Sequence, residues 1–446
     1  MKCINTRTMK NSLLLAIATL LLASNVWAQE SKPEIIDLDQ AVALALENNH
    51  DLFIAKVQSD KAENSATLGN AGALPTLRAT AGTNYSNQNS DLEFATGQTQ
   101  NVSGAQSAGQ NASLGLSQVL FAGGALQRTY SILKSASQMA NVAELQQINA
   151  TIAQTQSQYF AIVLLGETVQ TAETNVAISA DRFARAELKK ELGGSNTTEL
   201  LAAEVDLNRD KITLMDARTQ LLNAKTLFKT FVGIEGNFEL VPAVNDEFAD
   251  VGDLMSLINA ALENNPTLQM ALISEETAMM QQKLAQSTLF PSLSAQVSYG
   301  LNQSQAEAGF LTSSQQTGLN AGVSLTYDLF GGGRSRTQRQ NAALDVEIAQ
   351  RQRIKTQETI QAAVINAAEV YMNARAKYEL EKQSVAVAQQ NFDKTKERYD
   401  MGQLSYLQLR EAQLALLNAQ NGKTSALFQA RNAYLALWQL VQSFDL

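Results

Sequence analysis

Catalysis and metal binding need nucleophiles, bases and ligands at defined spacings, and this chain has few of them. It has one histidine, His50, and one cysteine, Cys3. No cluster of ligands surrounds His50 in sequence, so it reads as an exposed residue near a helix end. Gly331-Gly332-Gly333 is followed by no Gly-Lys-Ser or Gly-Lys-Thr, so it reads as a break between a strand and a helix and not as a phosphate cradle. With one imidazole and one thiol, the sequence offers no nucleophile and base pair of the usual kinds; a serine with lysine or a carboxylate pair stays open, but no motif supports it. The expectation is a protein that is not an enzyme and holds no cofactor or metal.

What remains is charge. Gln408 and Glu411, three residues apart on a helix, share a face, whereas Arg410 points elsewhere. Taken alone, Glu411 is a carboxylate on a solvated helix.

The elements that carry such residues are long. Residues 334–401 contain no proline and no glycine, and at 1.5 Å per residue they make a helix of roughly 100 Å. Ile360, Ala363, Ala367, Val370 and Ala374 form one apolar stripe, and Val364, Ala368, Tyr371 and Tyr378 form a second beside it. Asn366, Glu369 and Asn373 lie opposite. So broad a face suits a helix with neighbours on two sides, in the wall of a bundle or tube; a two-stranded coiled coil shows a narrower seam.

The chain matches itself. Ala45-Leu46-Glu47-Asn48-Asn49 recurs as Ala261-Leu262-Glu263-Asn264-Asn265, Leu74-Pro75 as Phe290-Pro291, and Leu120-Phe121-Ala122-Gly123-Gly124 as Leu329-Phe330-Gly331-Gly332-Gly333. Phe183 and Gly193 recur as Phe392 and Gly402. Landmarks in the same order twice imply an internal duplication. Each half reads as a helix (39–72 and 253–287), a β-hairpin (75–121 and 291–330), a long helix and a shorter one. The first long helix runs over about 125–192, interrupted at Gly166. The shorter helices cover 197–232 and 405–442. The first repeat spans 29–232 and the second 253–446, with a linker at 233–252. The segments at 86–111 and 303–316, rich in Asn, Gln, Ser and Gly, read as loops between the strands. The shorter helices of each half sum to the length of the long one, so stacked end to end they run antiparallel beside it.

Lys2, Arg7 and Lys10 precede an apolar run over 13–23, then Val26-Trp27-Ala28 before Gln29. This predicts a secretory signal peptide at 1–28 with cleavage between Ala28 and Gln29. Cleavage removes Cys3, so a lipid anchor on cysteine is not expected. The formal charge of −9 becomes −12 when those three basic residues leave 31 basic and 43 acidic. With no basic run, nucleic acid is not a partner.

No further stretch is long and apolar enough for a transmembrane helix, so a membrane crossing has to use strands. Leu293, Ala295, Val297, Tyr299 and Leu301 alternate with Ser294, Gln296, Ser298, Gly300 and Asn302. Leu319, Ala321, Val323, Leu325 and Tyr327 alternate with Asn320, Gly322, Ser324, Thr326 and Asp328. These are strands with one apolar and one polar face. Four strands per chain leave two edges unpaired in lipid, so several chains must close one barrel. A soluble sheet is the alternative.

The order of these landmarks resembles the outer-membrane efflux protein family, the TolC-like exit ducts. The motifs that carry the likeness are Leu-Phe-x-Gly-Gly at both strand ends and Arg398-Tyr399-Asp400-Met401-Gly402-Gln403-Leu404-Ser405 leading into Leu409-x-x-Ala412-Gln413. The resemblance implies a mostly α fold with a small membrane β part. It further implies a homotrimer whose duplicated helical hairpins form an α-helical barrel in the periplasm, beneath a twelve-stranded transmembrane β-barrel in the outer membrane of a Gram-negative bacterium.

The implied function is an exit duct joined to a periplasmic adaptor (membrane fusion) protein and an inner-membrane pump. The adaptor-docking turns then match Leu192, Gly193, Gly194 and Ser195, and Met401, Gly402, Gln403, Leu404 and Ser405. Entrance residues match Glu199, Tyr399, Gln408 and Glu411, with Gln408 an amide where the family often has a carboxylate. Leu404 stands at the family's arginine position, so an interhelical arginine lock is not expected there. Small-molecule efflux is the leading reading. Type I protein secretion and an extracellular helical stalk or adhesin are the alternatives. A passive porin would need more strands and less helix.

Overall fold

A computed structural model describes residues 34–192, 197–241, 248–309 and 311–441. The expected cleavage pair Ala28 and Gln29, as well as Cys3, Gly193, Gly194 and Ser195, lie outside the described residues. In chain order the elements begin with β1 (Glu34–Ile36), α1 (Leu38–Asn48), α2 (His50–Ser65), β2 (Thr76–Glu93), β3 (Thr99–Ala122), α3 (Ala125–Glu191) and α4 (Thr197–Val232). They continue with β4 (Phe238–Leu240), α5 (Leu254–Asn264), α6 (Pro266–Gln286), β5 (Ser292–Ala306), β6 (Ser313–Thr326), α7 (Arg334–Asp400) and α8 (Tyr406–Val441). The chain packs as two compact units, one drawing on residues 34–49, 151–249 and 374–432, the other on 50–150, 250–373 and 433–441.

Several expectations are corrected. The helix at 39–72 is two helices broken at Asn49, and that at 253–287 is broken at Asn265. Proline disfavours helical geometry in the residue before it, and Asn265 precedes Pro266 with φ −67° and ψ 120°. Asn49 takes the same conformation without a proline, φ −68° and ψ 124°. Each asparagine is satisfied at a helix end, where the last carbonyls lack intrahelical donors. Asn49 Nδ2 donates to Phe231 O and Asn265 Nδ2 to Leu440 O, both at 3.0 Å. Gly166, in contrast, interrupts nothing: α3 is continuous through it.

In the first unit, Ala41 and Ala45 of α1, Tyr159, Ile162 and Val163 of α3, and Phe228 and Val232 of α4 bury one another with Ile36 and Phe238. Those last two belong to β1 and β4, a three-residue parallel pair. Tyr159 fixes it by donating its hydroxyl to Val241 O at 2.8 Å. β4 lies in the segment read as a linker; three residues are too few to show alternation. Leu164, Tyr378, Ala426 and Leu427 form another cluster, and Phe392, Leu409, Ala412 and Leu416 a third, with Ile178 against it. Of the two stripes on α7, Val364, Ala368, Tyr371 and Tyr378 are all buried, whereas the other runs from a buried Ile360 to Val370, which is 58% exposed.

In the second unit β2, β3, β5 and β6 form an antiparallel sheet in that order. The expected loops are mostly strand, because β2 and β3 continue pairing to Glu93↔Thr99 and β5 and β6 to Gln305↔Ser313. Hydroxyl pairs help hold the ladder of the first hairpin: Thr80 with Ser113 and Ser86 with Ser107, each at 2.8 Å. One face carries the row Leu77, Leu116, Val297 and Ala321 and the next row Ala79, Leu114, Tyr299 and Leu319. The other carries polar residues and glycine, with one charged side chain where all four strands pair, Arg78, level with Gly115, Ser298 and Asn320. Where β3 meets α3, Gly123 has φ +60°, and a Cβ there would lie 2.8 Å from Ser287 O and Phe290 Cβ, so only glycine fits. Arg128 closes this corner by donating to Gly123 O at 2.7 Å.

Candidate functional site

The first unit holds an unusual core where α3, α4 and α8 converge. Asn175, Ser179 and Arg182 line one face of α3 at spacings of four and three, Asp206 and Asp210 lie four apart on α4, and Arg410 and Gln413 three apart on α8. Helical periodicity therefore turns each set toward a single face. Arg182, Asp210 and Arg410 are no more than 5% exposed, and Ser179 and Gln413 no more than 1%.

Arg410 makes a two-pronged pair with Asp210, Nη1 to Oδ2 at 2.9 Å and Nη2 to Oδ1 at 3.0 Å. Arg182 Nη2 donates to Asp206 Oδ2 at 3.0 Å. Gln413 Oε1 accepts from both arginines, at 3.0 Å from Arg182 and 3.2 Å from Arg410, while its amide donates to Asn175 Oδ1 at 3.1 Å. Ser179 donates to Asp210 and Tyr406 to Asp206. The cluster balances two guanidinium groups against two carboxylates. Arg410 Nε is 3.4 Å from Asp206 Oδ2, a charge contact without hydrogen-bond alignment.

These contacts set the ionisation of two members. Burial, joined by the bond to Asp206, pushes the Tyr406 phenol well above its ordinary value. For Arg410 burial works against the charge, but the bond and charge of Asp210 outweigh it, and the guanidinium is held above its usual range.

Arg410 does point away from Glu411, and its destination is this core. Arg410 and Arg182 link α8 and α3 to the acids of α4, at Asp210 and Asp206. A missed signal was available: Asp206 and Asp210, like charges at i and i+4, destabilise a helix face unless a cation is brought to it.

The entrance residues expected from sequence are arranged differently. Lys189 Nζ lies 3.8 Å from Glu199 Oε1 and 5.4 Å from the centre of the Tyr399 ring, so those two residues share one lysine. Gln408 turns back to its own helix start: its Oε1 accepts from Ser405 N at 2.9 Å and Ser405 Oγ at 3.0 Å, while its N–H donates to Ser405 Oγ at 3.4 Å. That is a capping box. Glu411 is exposed. Gly402 ends α7 with φ +74°, and the bond from Gln403 N to Arg398 O at 2.9 Å closes the turn. Met401, Gln403 and Ser405 are exposed, as is Leu192 at the end of α3.

Residues 41–233 and 257–441 match the sequence model of the outer membrane efflux protein family. Among solved structures, the CmeC outer membrane channel of Campylobacter jejuni is 19% identical, with 94% of this chain and 92% of that one covered and a TM-score of 0.75. VceC of Vibrio cholerae is 16% identical, covering 91% and 95%, with a TM-score of 0.70. The open state of the Neisseria gonorrhoeae MtrE channel is 17% identical, covering 91% and 88%, with a TM-score of 0.68. At such identities the likeness is one of fold, that of long helical hairpins carrying a β part. From the match over most of its length, the chain belongs to the outer membrane efflux protein family, whose fold is that of channels and not of enzymes.

Proposed function

We propose that three copies of this chain close an efflux duct through the outer membrane of a Gram-negative bacterium, each giving four strands to a twelve-stranded barrel and its helices to a periplasmic tunnel. The observation that carries this is the sheet. β2 and β6 are the edge strands, each with its outer edge unpaired among the described residues, and Leu319, Val323 and Leu325 on the apolar face are 68%, 68% and 67% exposed. Lipid covers such a face, and neighbouring copies satisfy such edges. Leu201, Val205, Ile212 and Met215, all more than half exposed on α4, add apolar surface for a neighbouring copy.

The turn from Met401 to Ser405, together with residues 192–195, receives a periplasmic adaptor that links the duct to an inner-membrane pump. Glu199, Tyr399, Gln408 and Glu411 lie near the entrance. The cargo is small molecules, and the pump chooses among them.

The test compares Val323→Arg with Ser324→Arg. On the lipid side arginine should cost about 2–4 kcal/mol, and less on the water side. The first variant should therefore yield few heat-resistant trimers in the outer-membrane fraction and the second near-normal amounts. Equal yields, or wild-type protein released to the medium as a stalk would be, sink the barrel. Docking is tested at Gln403, since bulk at Gly402 would strain a left-handed turn by itself. Gln403→Trp should stop export and adaptor crosslinking while trimers persist; normal export would remove the docking assignment.

A further inference from the structure

Across the stretch where all four strands pair, residues 76–86, 107–122, 292–306 and 313–326, Arg78 is the only charged side chain on either face. Register places it beside Gly115, level with Ser298 and Asn320, on the face that also carries Thr80, Ser113, Gly300 and Gly318. The rows on either side of it on the opposite face are the apolar ones, through Leu77 and Ala79. A guanidinium at that height is strongly disfavoured against lipid and is accommodated by water.

Its surroundings leave the charge open. Arg78 is exposed, and among the described residues its side chain has no ion pair or hydrogen-bond partner. Glycines at 115, 300 and 318 raise no side chain around it, and a Cβ at Gly318 would meet nothing within 4 Å. The remainder of that face is neutral: Thr76, Gln296, Asn302, Gln316 and their neighbours.

We infer that Arg78 is a specificity-determining residue, one of a ring of guanidinium groups inside the barrel that favours passage and transient binding of anionic solutes over cationic ones. This rests on the trimeric barrel proposed above. An unpaired charge inside a water-filled bore with low-dielectric walls focuses its field along the path of the solute. The planar fork of arginine also matches carboxylate and phosphate oxygens. Its reach follows the Debye length, about 10 Å at 0.1 M salt and about 3 Å at 1 M.

The experiment uses full-chain trimers in planar bilayers under a KCl gradient, with inorganic pyrophosphate as the anionic probe. At about 0.1 M salt, Arg78→Gln should lower the chloride-to-potassium permeability ratio about twofold, and Arg78→Glu should lower it further. Arg78→Lys should retain the wild-type preference. Pyrophosphate should reduce current through the wild type and not through Arg78→Gln. At about 1 M salt the differences should vanish. Variants that conduct like the wild type with unchanged reversal potential and pyrophosphate response overturn the inference and leave the barrel standing. So does an Asp328→Asn variant that alone moves the reversal potential, since Asp328 lies just beyond β6 and would then neutralise Arg78 of a neighbouring copy. If the wild type forms neither trimers nor channels, the barrel fails and the inference with it.

Discussion

The helix breaks and the charged core of α3, α4 and α8 answer the internal repeat in opposite ways. Asn49 and Asn265 end matching pentapeptides and do the same thing twice, each donating to a last-turn carbonyl at 3.0 Å. The charged core has no second copy. At the spacing that lays Phe183 on Phe392, Arg410 matches Leu201, Gln413 matches Glu204, Arg182 matches Asn391, and Asp206 and Asp210 match Ala415 and Ala419. Burial follows the opposite order from hydropathy, since Arg410 is 5% exposed and Leu201 56%. A helix end makes the same local demand wherever it occurs, so its solution can be repeated. Buried charges are tolerated only where opposite signs converge, so one cluster is assembled across the two halves: Arg182 of α3 and the acids of α4 from the first, Arg410 of α8 from the second.

The sharpest way to break this contrast is Arg410→Met beside Leu201→Ala. Removing Arg410 strands Asp210 in the core, which costs about 3–5 kcal/mol. Amide exchange around Asp210 should accelerate about 100-fold or more, since 1.4 kcal/mol is tenfold. Leu201→Ala should leave it nearly unchanged. The double variant Arg410→Met with Asp210→Leu should recover most of the protection, because an apolar pair leaves no stranded charge. Similar exchange in both single variants would show that positions 410 and 201 are not different in kind.

That contrast also marks what could be read in the sequence. The alternation through Leu319 and Val323, and the uninterrupted run over 334–401, were legible because one environment dominates each face. Strand pairing over 86–93 and 99–107 was not, since Asn, Gln, Ser and Gly favour loops until a neighbouring strand offers a ladder. Arg410, between Leu409 and Glu411, looks like a solvated charge, and only the Asp206 and Asp210 spacing on another helix hints otherwise. Gln408 carries two readings at once, since the family resemblance places it at the entrance while Ser405-x-x-Gln408 is itself a capping signature. Asn49 and Asn265 were noticed as a repeat, but nothing local says which carbonyl each one reaches.

For the duplicated feature the expectation is equality. Asn49→Ala and Asn265→Ala each remove the donor from a carbonyl at a side chain that is 5% exposed. Each should cost about 1–3 kcal/mol, read as faster amide exchange in the last turn of α4 or α8. A loss confined to one of them would mean that the repeat preserves the break without preserving its energetic role.

Tyr406 offers a test by pH, since its repeat counterpart Thr197 cannot titrate. Its phenol is raised by burial and the Asp206 bond, so the fold favours the neutral form. The resulting stability is fully present below the unfolded value of about 10 and is lost as pH rises above it toward the folded value. Exchange around Asp206 should accelerate above about pH 10 in the wild type, and that acceleration should weaken in Tyr406→Phe. An unchanged profile in the variant would move the transition to another group.

The smallest effect concerns His50, the first residue of α2, which stands where the second repeat has Pro266. Proline at the first helical position forfeits an N–H that has no intrahelical acceptor, and its ring presets φ near the helical value. The residue before it must be extended, and Asn49 already is, at φ −68° and ψ 124°. His50 is exposed, so its imidazole can be removed without opening a cavity. His50→Pro should therefore be neutral or raise stability by about 0.4–1 kcal/mol by narrowing the unfolded ensemble, detectable as a small rise in unfolding midpoint. A marked loss would mean that the first break depends on a contact of position 50 with no counterpart at Pro266, and the breaks would then be alike in geometry while differing in what holds them.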